Sequence, residues 1–409
     1  MIQPTTTTMK PGVIVLLLSL LLGLQPITTD LYLPSLPDIT ASFGSPMAQA
    51  QLTLSALLLA FGVSQLVWGP LSDRFGRKPI LLVGLSAYAL AAVGSALSAS
   101  MLALIVWRAV QGVAMGAAVM CARAIVRDLY QPVQGARVMS KGLSGLGVIA
   151  FLSPPLGGLL NNTFNWRVAL LALGVFGAVS LGLIVWRFEE TLQRKNPDAL
   201  QAGALLFTWR SILRHPTFLT FSALSAASYA GLFTFLATSS FVFMKVLGLS
   251  KVQYSWLMAL NSLAYIAGTF LCRHWLPRFG VRRSLKWAGV LSLTGGTLMA
   301  VPSLMGVRNL WAIVPAMLLF SVGHGIHQPC GQSGAVGPFP HAAGVASAVN
   351  GFLMMLAAFV MGSWLGGHMD GSVLPLTLGM WFWSSLIALT AWTLVQWYGE
   401  PTPTQSPAK

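Results

Sequence analysis

Apolar runs of about twenty residues recur from one end of the chain to the other, and no other feature constrains its fold so strongly. A helix rises 1.5 Å per residue, so a run of that length crosses the roughly 30 Å of hydrocarbon in a bilayer. Spans are expected to begin near Val13, Gln51, Ile80, Met101, Gly142, Arg167, Thr217, Gln253, Leu285, Leu310, Ala343 and Leu374, twelve in all. The runs are uninterrupted, which predicts α-helices and argues against a barrel of alternating strands. Composition enters here: only 8% of the 409 residues are charged, against about 25% in a soluble domain. A soluble fold could not clothe its surface with so few charges.

Only one inter-span stretch is long, Arg187 to Pro216, with charge, Gln and Pro at the middle of the chain. It divides the sequence into a six-helix half at residues 1–190, a linker at 191–215 and a second six-helix half at 216–409. The first apolar run lacks a small-residue cleavage site and is expected to stay as a span. A net charge of +15 invites a nucleic-acid reading, but the distribution opposes it. With the N-terminus inside, 19 of the 24 Lys/Arg fall on cytoplasmic segments or their helix ends; Arg167, Lys245, Lys251 and Arg308 fall outside, and Arg108 lies within a span. That asymmetry is the positive-inside rule, with both termini cytoplasmic. Cys121, Cys272 and Cys330 then sit on the reducing side, where no disulfide framework is expected.

Two short patterns repeat at matching places in the halves. Arg74-Phe75-Gly76-Arg77-Lys78 follows the second span, and Arg278-Phe279-Gly280-Val281-Arg282 follows the eighth. Leu156-Gly157-Gly158 in the fifth span recurs as Leu365-Gly366-Gly367 in the eleventh. Duplicated halves with a site between them are a recurring transporter plan.

Of the nine acidic residues, Asp30 is the one carboxylate expected within the bilayer. A charge there costs at least ~2.5 kcal/mol on insertion scales and marks a functional site by default. Burial disfavours the charged form, so Asp30 is the natural proton carrier. The alternative places it at the outer interface, with Pro34 and Pro37 ending the helix nearby. Arg108, at similar depth in the fourth span, is its expected counter-charge; the alternative is that Arg108 only braces the helices. His324 and His327, one turn apart with Cys330 and His341 following, are read as a polar lining at the cytoplasmic end of the tenth span; a zinc site would need more converging ligands. The Gly112, Gly116, Gly145, Gly157 and Gly158 positions read as packing contacts. Among the aromatic residues of the seventh and eighth spans only Tyr229 is taken as pocket-lining, with Tyr32 from the first.

These residues resemble the major facilitator superfamily, and within it the drug:proton antiporters. Gly69 to Lys78 is similar to the superfamily's signature loop. Arg108-Ala109-Val110-Gln111-Gly112 resembles the motif of proton-coupled members. Ser153-Pro154-Pro155-Leu156-Gly157-Gly158 resembles the antiporter motif, with Ile149 and Ser153 where that pattern has glycines. Asp30 to Pro37 and Ala122 to Asp128 resemble the Bcr/CflA branch, which includes bicyclomycin and chloramphenicol exporters. The resemblance implies an all-α fold of twelve transmembrane helices. It implies a conformational latch at the inner surface from Asp73, Arg74, Arg77 and Asp128. It also implies proton coupling through Asp30 and Arg108, with substrate contacts from Asp30, Tyr32, Arg108, Gln111 and Tyr229. The expected function is proton-coupled export of small lipophilic drugs across the bacterial inner membrane by a monomer, without cofactor or nucleic acid. The alternative is transport of a defined metabolite by the same fold. A membrane enzyme is disfavoured, since no catalytic constellation or phosphate-binding loop is present.

Overall fold

A computed structural model describes residues 9–130, 132–193, 195–197, 199–339, 342–369 and 371–399. Arg194, Asp198, His341, Asp370, Glu400 and Lys409 lie outside the described residues. The first half begins with α1 (Pro11–Asp30), a 3-10 turn (Leu33–Ser35) and α2 (Leu36–Phe43). It continues with α3 (Met47–Phe75), α4 (Arg77–Ala96), α5 (Met101–Leu129), α6 (Pro132–Thr163) and α7 (Trp166–Arg187). The midpoint stretch carries a helix of its own, α8 (Ala202–Leu213). Then come α9 (Pro216–Phe241), α10 (Lys251–Leu304), α11 (Leu310–Val336), α12 (Ala343–His368), α13 (Leu374–Trp392) and α14 (Leu394–Tyr398).

Eleven helical stretches among the described residues are long and apolar enough to cross a membrane. One of them, α10, holds 54 residues and breaks at Gly280, where φ is 70° and ψ is 176°. At 1.5 Å per residue it would be about 80 Å long, so its two limbs are two spans. The expected twelve spans follow. Short polar residues set the starts of several: Ser100 Oγ accepts from Ala103 N at 3.2 Å at the head of α5, and Asn165 Oδ1 accepts from Arg167 N at 2.9 Å at the head of α7. Asn309 does the same for α11. Each supplies an acceptor to an orphan N–H of a first turn.

The repeated loop is a repeat of backbone as well as of letters. Gly76 has φ 111° and ψ 162°, the counterpart of the Gly280 geometry, a region open in practice to glycine alone.

The first span differs from expectation. Pro34 and Pro37 do not end it, because each lies in the first turn of a short helix, where a missing N–H costs nothing. Pro11–Phe43 therefore forms one 33-residue stretch.

The described chain falls into two compact units. Unit 1 comprises Met1–Ala202, Ser239–Ser262 and Gly362–Met369; unit 2 comprises Gly203–Thr238, Leu263–Met361 and Asp370–Lys409. In unit 1, α5 packs on α3 and α4, α1 on α6, and α4 on α7. Lipid tails give helices no hydrophobic reason to associate, so close packing at small residues must do it. Gly112 of α5 lies on the Leu57 carbonyl of α3, and Gly157 of α6 on the Leu31 carbonyl at the end of α1. In unit 2, Gly268 on the first limb of α10 meets Gly325 of α11, and Gly296 on its second limb meets Ser384 of α13.

Candidate functional site

The centre of unit 1 is Arg108, fully buried on α5. Its Nη2 donates to the Thr28 carbonyl at 3.0 Å and its Nη1 to Gln111 Oε1 at 2.7 Å. Thr28 is among the last four residues of α1, whose carbonyls lack helical partners and are free to accept. The guanidinium also stands 4.4 Å from the centroid of the Tyr32 ring, a cation–π distance in a desolvated setting. The shell continues outward: Tyr32 OH meets Thr53 Oγ1 at 2.9 Å, and Tyr88 OH meets Thr28 Oγ1 at 2.6 Å. Four helices thus converge on one cation. Arg108 Nε has no protein acceptor, so the shell leaves one buried donor for an incoming group.

The expected Asp30–Arg108 ion pair is not formed. Among the described residues Arg108 takes part in no ion pair, and the Asp30 carboxylate accepts from Thr29 Oγ1 at 2.8 Å. Arg108 instead grips the first span on both sides of Asp30, at Thr28 and at Tyr32, so it braces the segment carrying the carboxylate. Asp30 closes α1 and is partly exposed, inside the apolar Pro11–Phe43 stretch. Thirteen residues of the Pro11–Phe43 stretch follow it, about 20 Å at helical rise. Tyr254, bonded to Ser239 Oγ at 2.8 Å, lies within electrostatic range of it.

The signature loop builds a second cluster. Arg77 is 1% exposed, with Nη1 2.7 Å from Asp73 Oδ1 and Nε 2.9 Å from Asp128 Oδ2. Nη1 also donates to Ser72 Oγ at 2.6 Å. Arg74 stands apart, exposed over the Phe75 ring at 5.6 Å; Arg127 takes the outer position, 3.4 Å from Asp73. Glu190, absent from the expected set, completes the cluster. Its carboxylate accepts from the backbone N–H groups of Arg77 and Lys78, both at 3.0 Å, at the positive head of α4. Thr191 Oγ1 then donates to Asp128 Oδ2 at 3.2 Å, and Lys78 Nζ to the Phe188 carbonyl at 2.7 Å. The sequence held one signal for Glu190, an acid just past a span end. Nothing in the sequence pointed to α4.

The antiporter-like segment lies on α6, which continues past Pro154 and Pro155. Gly157 faces the Leu31 carbonyl, one residue from Asp30, and Gly158 faces Ser255. The departure at position 149 has a physical account: Ile149 fills the space opposite Gly23, where a Cβ would run into its Cδ1. The small residue of this seam contact lies on α1, opposite Ile149 of α6. Ser153, the other departure, turns its hydroxyl onto the Ile149 carbonyl at 2.6 Å. Nearby, Asp38 Oδ2 lies 2.6 Å from Lys251 Nζ and accepts from Asn161 Nδ2 at 2.6 Å. None of these three was foreseen as a group. A Cβ built on Gly366 would stand 3.3 Å from Ala48 Cβ, whereas Gly367 faces open space, so the double-glycine repeat is kept in one contact of two.

In unit 2, Tyr229 is buried on α9. His324 and His327 are not at a span end; they fall near the middle of α11 and are buried. Ser228 Oγ lies 2.8 Å from His324 Nδ1, and Ser292 Oγ 3.1 Å from His327 Nε2. Among the described residues no group of three His, Cys, Asp or Glu side chains is placed to hold a metal.

A span-rich chain with a caged arginine and a charged loop can be compared with known proteins. It is 33% identical over 352 residues to multidrug resistance protein D of Escherichia coli, covering 86% of this chain and 87% of that one. It is 28% identical to a chloramphenicol resistance protein of Pseudomonas aeruginosa over 93% of this chain and 86% of the relative. The solved xylose transporter XylE of E. coli shares the fold, with a TM-score of 0.75 at 14% identity over 97% of this chain and 99% of that one. The Major Facilitator Superfamily matches residues 18–362, and this chain belongs to it.

Proposed function

We propose that this chain exports small, largely apolar drugs across the bacterial cytoplasmic membrane in exchange for protons, as a Bcr/CflA-type member of its family. The relatives carry the drug reading, being named for multidrug and chloramphenicol resistance. The coupling reading rests on one observation: Asp30 is a carboxylate within the apolar Pro11–Phe43 stretch, held by a neighbouring hydroxyl and, among the described residues, paired with no cation. A group in that position exchanges a proton at little structural cost, because no ion pair breaks when it is neutralised. Arg108 holds the helix around Asp30 and keeps one N–H for an acceptor on the substrate. Gln111, Tyr32 and Tyr229 complete the proposed contacts. Asp73, Arg77 and Asp128, now with Glu190, form the proposed inner latch. In this reading the halves are residues 1–190 and 216–409, both termini are cytoplasmic, and one copy suffices. Translocation involves no covalent chemistry.

The experiment is proton release from detergent-solubilised protein on adding chloramphenicol, with drug susceptibility of an exporter-deficient bacterium measured in parallel. Wild type should release protons and confer resistance. Asp30→Asn should release none and confer no resistance while still binding drug. Release from the mutant equal to wild type would make Asp30 structural.

A further inference from the structure

Two of the three cysteines are neighbours. Cys272 on the first limb of α10 and Cys330 on α11 place their sulfurs 3.6 Å apart, and both are buried in unit 2, at 2% and 3% exposure. The third, Cys121, belongs to unit 1.

The backbone behind the pair is what makes the contact more than a rotamer accident. One turn before Cys272, Gly268 lies against Gly325, which precedes Cys330 by five residues on α11. A Cβ built on Gly268 would stand 3.0 Å from Gly325 Cα, and one built on Gly325 only 2.9 Å from Gly268 Cα. Two helices touching backbone to backbone diverge little over one turn. A disulfide requires a short Cα separation, usually about 4.4–6.8 Å, and a close helix approach one turn away favours it. Closing the sulfurs from 3.6 Å to a bonded ~2.05 Å needs side-chain rotation and a small helix shift. Burial alone would make either thiol inert. Reaction therefore needs a small apolar reagent that can enter the helix seam, and once it has reached one sulfur the second thiol, in contact, resolves the adduct before a reductant does.

We propose that Cys272 and Cys330 are a modification site, a thiol pair that a small aromatic disulfide oxidises to an intramolecular disulfide, tying α10 to α11 and arresting export. The step balances as thiol–disulfide exchange. One cysteine thiolate attacks a sulfur of the reagent, expelling one aryl thiolate and leaving a mixed disulfide. The second thiolate attacks the protein sulfur of that adduct, forming the Cys272–Cys330 bond and expelling the second aryl thiolate. The cysteines lose two electrons and two protons, and the reagent leaves as two aryl thiols. In the proposed topology the pair lies in the cytoplasmic half of its spans, on the side where such bonds are transient and report oxidants. The arrest rests on the export reading; bond formation does not.

The test treats full-length protein in liposomes with 4,4′-dithiodipyridine, then maps peptides by mass and measures drug export. The expected result is a Cys272–Cys330 peptide pair lacking two hydrogens, with Cys121 not joined to either. Two thiopyridones should be released per pair. Export should fall to background and return with dithiothreitol. Cys272→Ser and Cys330→Ser should each export normally in the presence of the oxidant. Stable separate adducts on the two cysteines, no reaction, or a completed cross-link that leaves export unchanged would each overturn the proposal. Absence of export before any oxidant would count against the export reading, and the mapped bond would still be scored.

Discussion

Adding one methyl group at Gly157 and at Gly23 should give opposite results, although both glycines lie on the same α1–α6 seam. Each change to alanine gains up to about 1 kcal/mol of helix propensity. The neighbours decide the rest. At Gly157 the new Cβ would meet backbone: it overlaps the Leu31 carbonyl oxygen and lies 2.8 Å from the carbonyl carbon and 2.9 Å from Leu31 Cα. No rotamer can relieve a backbone clash, so the helices must separate. Overpacking of this kind costs about 1–3 kcal/mol, and the upper end applies where nothing flexible yields. The net expectation is a loss of about 2 kcal/mol. At Gly23 the overlapping atom is Ile149 Cδ1, with Cγ2 at 3.4 Å and Cγ1 at 3.5 Å. The end of a side chain can swing away, so the cost falls near 1 kcal/mol and roughly cancels the gain. Because Leu31 adjoins Asp30, separation at Gly157 should also abolish export, whereas Gly23→Ala should export normally. Thermal unfolding of purified protein, followed by the loss of helical circular dichroism, measures the stability difference. Adding Ile149→Val, which removes Cδ1, should stabilise Gly23→Ala relative to its effect on wild type. Equal destabilisation by the two alanines, or strict additivity within about 0.5 kcal/mol of the Gly23 and Ile149 changes, would refute the argument.

Other outcomes follow from the same geometry. Glu190→Gln removes the negative charge at the head of α4 and turns one of its two acceptors into a donor, and should impair export while leaving drug affinity in a state-locked protein unchanged; a large affinity loss would place the cluster at the substrate. Arg77→Ala should do the same more severely, since it leaves Asp73 and Asp128 facing each other without their shared cation. Lys251→Ala removes a partly exposed pair with Asp38, worth about 0.2–1 kcal/mol. Its effect on export rate should shrink as salt is raised, and a salt-independent effect would point to packing instead.

The span count, most of the span starts and the burial of Arg108 were legible without coordinates. The hydrocarbon thickness acts on each stretch of chain separately, so run length and the placement of Asp30 and Arg108 are local properties. The loop repeat was legible for a related reason, since Gly76 and Gly280 answer to a backbone geometry that one residue type satisfies. Partnership was not legible. Arg108 bonds Thr28 rather than Asp30, Glu190 reaches across 113 positions to cap α4, and Lys251 finds Asp38. These choices depend on which helix faces meet and at what depth. Pro34 shows the same limit from the other side: a proline reads as a stop, yet it opened a new helical turn. The contact of Gly23 on α1 with Ile149 on α6 marks the boundary most sharply. A single chain shows Ile149 as a departure from a motif, and only the packed seam shows that the opposite helix had made room for it, because close packing is a property of the pair.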